Sequence, residues 1–160
     1  MKTLPIKPFF FTFENDFVNT LKCVPMIVRY KLDSCGIKLR LAEWAKFSLE
    51  DKKALAYMPC YTAREVAKYG DYVKKIVRKH YSHEASTLTF VDDSWNKIHE
   101  IPVEVQKKAA EWDCPEVTLK NWMNMDTLQR FALVKLSRSG HEGQNFPVAL
   151  KEFGGFEEYP

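Results

Sequence analysis

Apolar residues recur along most of this chain with the 3.6-residue spacing of helices rather than the alternation of strands. Phe13, Phe17 and Leu21 stand at i, i+4 and i+8, which predicts a short first helix over about 14–22. Pro25 suits a first helical position and Gly36 a left-handed stop, so a second helix is expected over about 25–34. The stretch from Ile37 to Phe47 then reads as an extended lead-in followed by a turn of helix carrying Trp44. Ser48 is placed to cap a helix over about 49–58, which Pro59 ends.

The clearest helix starts at Thr62, with Glu65 three residues later as the second half of a capping box, and should reach about His80. Ala63, Val66, Ala67, Gly70, Val73, Val77 and His80 form its expected inner face, and Glu65, Lys68, Asp71, Lys74, Lys75, Arg78 and Lys79 lie on the outer one. Gly70 inside a helix costs about 1 kcal/mol relative to alanine, so close approach by another segment or simple tolerance must account for it. Periodicity lapses from Tyr81 to Glu100, as in a linker holding a brief strand. It returns after Pro102 with Val105, Ala109 and Trp112 on one face, then in a short helix from Thr118 to Asn124, in a strongly apolar one capped by Asp126, and in a last one opened by Pro147 and closed by Gly154.

Residues 25–58 and 102–136 share one register, suggesting an internal repeat. At an offset of 77 Pro25 matches Pro102, Val28 matches Val105 and Lys31 matches Lys108; at 78 Leu41 matches Leu119, Trp44 matches Trp122, and Ala54-Leu55 match Ala132-Leu133. The caps Ser48 and Asp126 also coincide, as do Lys52 and Arg130. Each copy would be a helix, a turn bearing a buried tryptophan and a capped second helix, with the helix over 62–80 between them. The expected fold is all-α: a single compact domain of about six or seven helices over the 160 residues, with this two-fold repeat inside it.

Only 6 glycines agree with that helical reading, and an apolar fraction of 46% fits a globular chain. A net charge of +3 is too mild to mark a dedicated nucleic-acid binder. No apolar run approaches the roughly 20 residues that cross a bilayer, and Pro5, Lys7 and Pro8 interrupt any signal-peptide core, so a cytoplasmic location is expected. Cys23, Cys35, Cys60 and Cys114 form no C-x-x-C pair and read as free thiols.

Catalytic chemistry finds little footing. His80 and His83 are three apart, but no third ligand completes a metal set; His80 reads as the end of a buried face and His83 as solvated. Asp92-Asp93 is an acidic pair in a loop, and the chain has no phosphate-binding glycine loop and no nucleophile elbow. The cations from Lys74 to Lys79 read as a solvated face that offsets the helix dipole. The stretch from Ser137 to Phe146 is different, because a polar loop between two apolar helices is a usual place for function. Arg138, His141, Glu142 and Asn145 there offer a cation, an imidazole, a carboxylate and an amide.

Three strings carry a resemblance: Phe9-Phe10-x-x-Phe13-Glu14-x-Asp16-Phe17, the run from Cys23-Val24-Pro25-Met26 through Arg29, Lys31-Leu32-Asp33 and Cys35-Gly36-Ile37-Lys38-Leu39, and Leu128-Gln129-Arg130-Phe131-Ala132-Leu133-x-Lys135-Leu136-Ser137-Arg138. With His141-Glu142, Asn145-Phe146 and Glu152-Phe153-Gly154 the chain resembles the nitrate reductase-associated protein family from about residue 9 to 154. The resemblance implies a small bacterial-type cytoplasmic protein encoded near assimilatory nitrate reductase and molybdopterin-synthesis genes, serving that molybdenum enzyme as an accessory or maturation factor. It brings no catalytic residues. The motif positions Arg29, Asp33, Cys35, Arg138, His141, Glu142 and Asn145 are the expected partner-binding surface. The expected partner is the reductase or a molybdenum-cofactor synthesis protein, with no membrane and no nucleic acid, and no cofactor or metal is expected on the chain itself. The competing reading is a small thiol-dependent enzyme, or a redox or sulfur-carrier factor, using Cys35.

Overall fold

The computed structural model describes residues 10–140 and 143–154; His141 and Glu142 of the expected surface, and Phe9 of the first string, lie outside them. The described chain is mostly helical, with eight α-helices and one two-stranded sheet of two residues per strand. It divides into two compact units, one taking in Glu14–Val91, the other Phe11–Phe13 and the chain from Asp92 onward.

The expected helix over 14–22 is not formed. A 3-10 turn over Thr12–Glu14 is followed by two isolated bonds, Phe17 N–H to Glu14 C=O at 3.1 Å and Leu21 N–H to Phe17 C=O at 2.7 Å. Other parts of the unit take the groups that a helix would use. The Glu14 carboxylate is buried and accepts from the backbone N–H of Met26 at 2.9 Å, which caps the next helix. Leu21 turns left-handed at φ 51°, and its carbonyl accepts from the Trp44 indole at 2.8 Å.

Helix α1, Met26–Ser34, buries Met26, Ile27, Val28, Lys31 and Leu32, and Gly36 stops it at φ 68°. Strand β1, Ile37–Lys38, pairs antiparallel with β2, Ser86–Thr87, in the register Ile37 to Thr87. Helix α2, Leu41–Lys46, carries Trp44 inward with no exposure, and α3, Leu49–Tyr57, starts where the Ser48 hydroxyl accepts from Asp51 N–H at 3.0 Å.

Helix α4, Ala63–His80, has the expected capping box: Glu65 N–H donates to the Thr62 hydroxyl at 3.2 Å, and Thr62 N–H donates to the Glu65 carboxylate at 2.9 Å. Its buried stripe is Tyr69, Gly70, Val73, Ile76 and Val77, while Ala63 and Ala67 are exposed. The stripe is rotated because two large side chains reach inward, Tyr69 donating its hydroxyl to Leu55 C=O at 2.7 Å. A Cβ on Gly70 would meet Cys35 Cβ at 3.5 Å, ordinary contact, so this glycine is tolerated rather than required.

The segment expected as a linker holds more structure than a loop. Besides β2 it contains a 3-10 turn, Ser94–Asn96, that buries Trp95 in the second unit. Helix α5, Val103–Glu111, buries Val105 and Ala109 but ends before Trp112, which is 43% exposed rather than on the inner face; Asp113 at φ 55° turns the chain away. Helix α6, Leu119–Asn124, holds Trp122 inward, and α7, Thr127–Arg138, is buried at Arg130, Phe131, Ala132, Leu133, Val134 and Leu136. Burial on nearly every side makes α7 the centre of its unit, packed by α5, by the Trp95 turn and by α8, Asn145–Glu152. Trp95 meets Phe131 edge-on at 4.8 Å, and Phe11 lies 4.8 Å from Phe153.

The units share local features. In each, a six-residue helix sends a tryptophan inward whose indole N–H is spent on an upstream carbonyl, Leu21 for Trp44 and Lys97 for Trp122, at 2.8 and 2.9 Å. In each, one buried residue follows, Phe47 or Met125, and then a polar cap, Ser48 or Asp126, accepts from the N–H three residues on.

Candidate functional site

The expected surface residues fall into two groups. Arg29, Asp33 and Cys35 lie on α1 or at its end in the first unit, all half-buried. Arg29 Nε donates to Val24 C=O at 3.2 Å. Cys35 caps the helix, its thiol donating to Leu32 C=O at 3.4 Å. Arg138, the last residue of α7, and Asn145, the first of α8, belong to the second unit.

Around the first group lies a buried cation that the sequence reading passed over. Lys31 is 2% exposed, and its Nζ donates to Ala56 C=O at 2.7 Å and Met58 C=O at 2.6 Å, the unpaired carbonyls at the end of α3. Its ammonium also stands 5.9 Å from the centre of the Tyr69 ring. Burial pushes Lys31 down to about 8, against weaker opposing pulls from Cys60 and Glu65. The Cys60 thiol donates to Lys31 C=O at 3.6 Å.

Burial pushes the thiols up, Cys35 to about 11 and Cys60 to about 12. Both therefore stay protonated at neutral pH, where only the thiolate attacks. The four cysteines are free thiols. This environment suits structural sulfur and disfavours the thiolate that a Cys35 nucleophile requires.

The second group is built on Arg138. Its Nε donates to Glu104 Oε1 at 3.0 Å, its Nη2 to the same oxygen at 2.7 Å, and Nη2 also donates to Asp92 Oδ2. Asp92 in turn accepts from Ser94 N–H at 2.9 Å, which fixes the turn that buries Trp95. Partial burial raises the Asp92 carboxyl, but hydrogen bonds from Arg138 and Ser94 outweigh it and hold the group below its ordinary value. Asp92, read above as half of a plain acidic pair, is thus a clamp between the α7 end and the Trp95 turn. Arg138 remains 39% exposed at the side chain.

Other polar groups were legible only in part. Arg130 sits on the buried side of α7 and spends its guanidinium on the carbonyls of Trp95 at 2.7 Å, Trp122 at 3.5 Å and Met125, plus the Thr127 hydroxyl at 3.4 Å. A cation at an inner-face position among apolar residues was the available signal, as it was for Lys31. His83 is not merely solvated: its Nε2 lies 3.1 Å from the buried Glu43 carboxylate. His80 packs 5.9 Å from Phe47, its Nε2 without a hydrogen-bond partner among the described residues. No three His, Cys, Asp or Glu side chains among the described residues are grouped to hold a metal ion, and no helix there is long and apolar enough to cross a membrane.

A mostly helical chain with a charged clamp, capped tryptophan turns and protonated thiols defines a helical protein without an assembled catalytic constellation among its described residues. The family model described as conserved nitrate reductase-associated protein matches residues 10–153, and the chain belongs to that family. No curated protein and no solved structure matches it.

Proposed function

We propose that this chain is a non-catalytic accessory or maturation factor for a molybdenum-dependent assimilatory nitrate reductase, working in the cytoplasm by binding protein. The observation that carries the reading is the family match over 144 residues, from 10 to 153, with its stated association with nitrate reductase. The chemistry of the chain supports binding over turnover: burial keeps Cys35 and Cys60 protonated at neutral pH, and Arg138, oriented by two carboxylates, keeps 39% of its side chain exposed. Arg138 and Asn145, with His141 and Glu142 beside them in sequence, are the proposed contact residues of the second unit; Arg29, Asp33 and Cys35 are those of the first. The reductase or a cofactor-synthesis protein is the proposed partner, bound in a state that accepts or keeps its cofactor.

The test is capture of a tagged chain from nitrate-grown cells, with mass spectrometry of the eluate and molybdenum quantified in it. Recovery of the reductase, reduced when Arg138 is replaced by alanine, is expected. An eluate holding neither the reductase nor a cofactor-synthesis protein, while both are abundant in the input, contradicts the proposal.

A further inference from the structure

The outer face of α4 carries a row of cations that form no ion pair among the described residues. Arg64, Lys68, Lys75 and Lys79 are all exposed, and none has a carboxylate partner among the described residues. At 3.6 residues per turn these four fall within an arc of about 60°, and at 1.5 Å per residue they run about 22 Å along the helix. One acid, Asp71, stands in the middle of the row and is also exposed. The first unit as a whole is strongly basic, with 16 Lys and Arg against 9 Asp and Glu, a net +7; the rest of the chain has 8 against 12, a net −4. The mild overall charge therefore conceals a polarised molecule.

A helix dipole explains cations in the last turn, Lys79 among them, but not Arg64 and Lys68 in the first turns, where the dipole disfavours positive charge. Asp71, three residues after Lys68 and four before Lys75, offsets part of the row, but none of the four cations is in an ion pair with a carboxylate among the described residues. We infer that this face of α4 docks a protein surface carrying a row of acidic side chains, an inference that rests on the protein-binding reading and names a surface for it. Two features select a protein over a nucleic acid or an anionic membrane. Asp71 breaks the row and would repel a continuous phosphate backbone or headgroup layer, whereas a protein face can answer it with one basic residue. The aromatic side chains of α4 also point away from the row: Tyr69 is buried and Tyr72 donates to Asp51 at 3.1 Å, leaving no ring there to stack on bases or enter lipid.

The experiment compares the full chain with the exposed-site variants Lys68→Glu/Lys75→Glu/Lys79→Glu and Lys68→Gln/Lys75→Gln/Lys79→Gln, after circular dichroism shows that the helix content is kept. The probes are purified assimilatory nitrate reductase from the same organism, a glutamate-rich helical peptide long enough to span the row, a DNA duplex, and phosphatidylserine vesicles. The reductase is expected to bind the wild type, about tenfold or more weakly after charge reversal, less weakly after neutralisation, with a steep loss on adding salt. The acidic peptide should follow the same order. Equal binding of the reductase to all three forms overturns the α4 surface and leaves the accessory reading standing. Peptide binding that depends on the row, with no reductase binding, upholds the surface and removes the reductase as partner. Tighter row-dependent binding of DNA or vesicles, or salt-sensitive self-association that the reversal abolishes, overturns the acidic-protein assignment.

Discussion

Gly70 and Gly143 make opposite predictions from the same substitution. A Cβ at Gly70 meets only ordinary contacts, so Gly70→Ala should raise the unfolding free energy by up to about 1 kcal/mol by removing glycine's helix penalty. At Gly143 a Cβ would lie 3.0 Å from the backbone oxygen of Ser139, and the alanine should lower stability; denaturant titration of both variants checks the pair. The buried cations are more demanding. Arg130→Met takes the guanidinium from the carbonyls of Trp95 and Met125, and a second donor from that of Trp122, and should cost roughly 3–5 kcal/mol, read as a lowered denaturation midpoint. That Trp44 and Trp122 are core was legible from their repeated register, and both have no exposure. That Lys31 and Arg130 are core was not, because a charged residue at an apolar position reads as surface until the carbonyls it will satisfy are known. For Lys31 they are the carbonyls of Ala56 and Met58, 25 and 27 residues away in sequence, and for Arg130 that of Trp95, 35 residues away, besides the nearer Trp122 and Met125.

At the scale of elements, the sequence was most informative where a local rule decides the outcome. Ser48, Thr62 and Asp126 each cap the helix expected of them, since the capping bond closes within three residues. Ser48→Ala and Asp126→Ala should each cost about 1 kcal/mol, measured as a fall in thermal midpoint with little change in the rest of the helical signal. Local rules failed where tertiary partners compete for the backbone. The spacing of Phe13, Phe17 and Leu21 is helical, but Glu14 caps α1 and the Leu21 carbonyl belongs to Trp44, so turns replace the helix. The stretch from Tyr81 to Glu100 failed in the other direction: its polar composition hid Trp95, whose burial depends on Asp92 and the distant Arg138. Of the expected site, the positions on α1, α7 and α8 can be placed, while the Arg138 clamp was invisible because Glu104 and Asp92 stand 34 and 46 residues from Arg138.

For the whole molecule, Lys31 on α1 and the thiols of Cys35 and Cys60 set an alkaline signature. Lys31 is held down to about 8, so above that pH the unfolded chain binds the extra proton and this group's contribution makes stability rise toward the ordinary lysine range. Cys35 and Cys60 are held up to about 11 and about 12, so above the ordinary thiol value of about 8.5 the folded chain keeps protons that the unfolded chain has lost, and stability falls. Two thiols against one amine predict a gentle rise just above pH 8 and a net decline beyond about pH 9. Unfolding curves of wild type and Cys35→Ala/Cys60→Ala across that range check it; the variant should show a shallower decline, the remainder coming from Cys114 and the tyrosines that burial also pushes up, and an unchanged profile would contradict the burial of both thiols.

The first unit is basic and the rest of the chain acidic, side chains pair at the end of α7, and burial holds the Cys35 and Cys60 thiols protonated. The chain's family tie to nitrate reductase gives the proposed contact a candidate partner. The most direct test is the molybdenum content and specific activity of nitrate reductase purified from cells lacking this chain and from cells complemented with the wild type or with Cys35→Ala. The account predicts reductase of reduced cofactor loading or activity in the deletion strain, restored equally by both complementing forms. Fully loaded and fully active reductase without the chain would contradict the accessory role, and restoration that fails only with Cys35→Ala would return the thiol to the centre of the function.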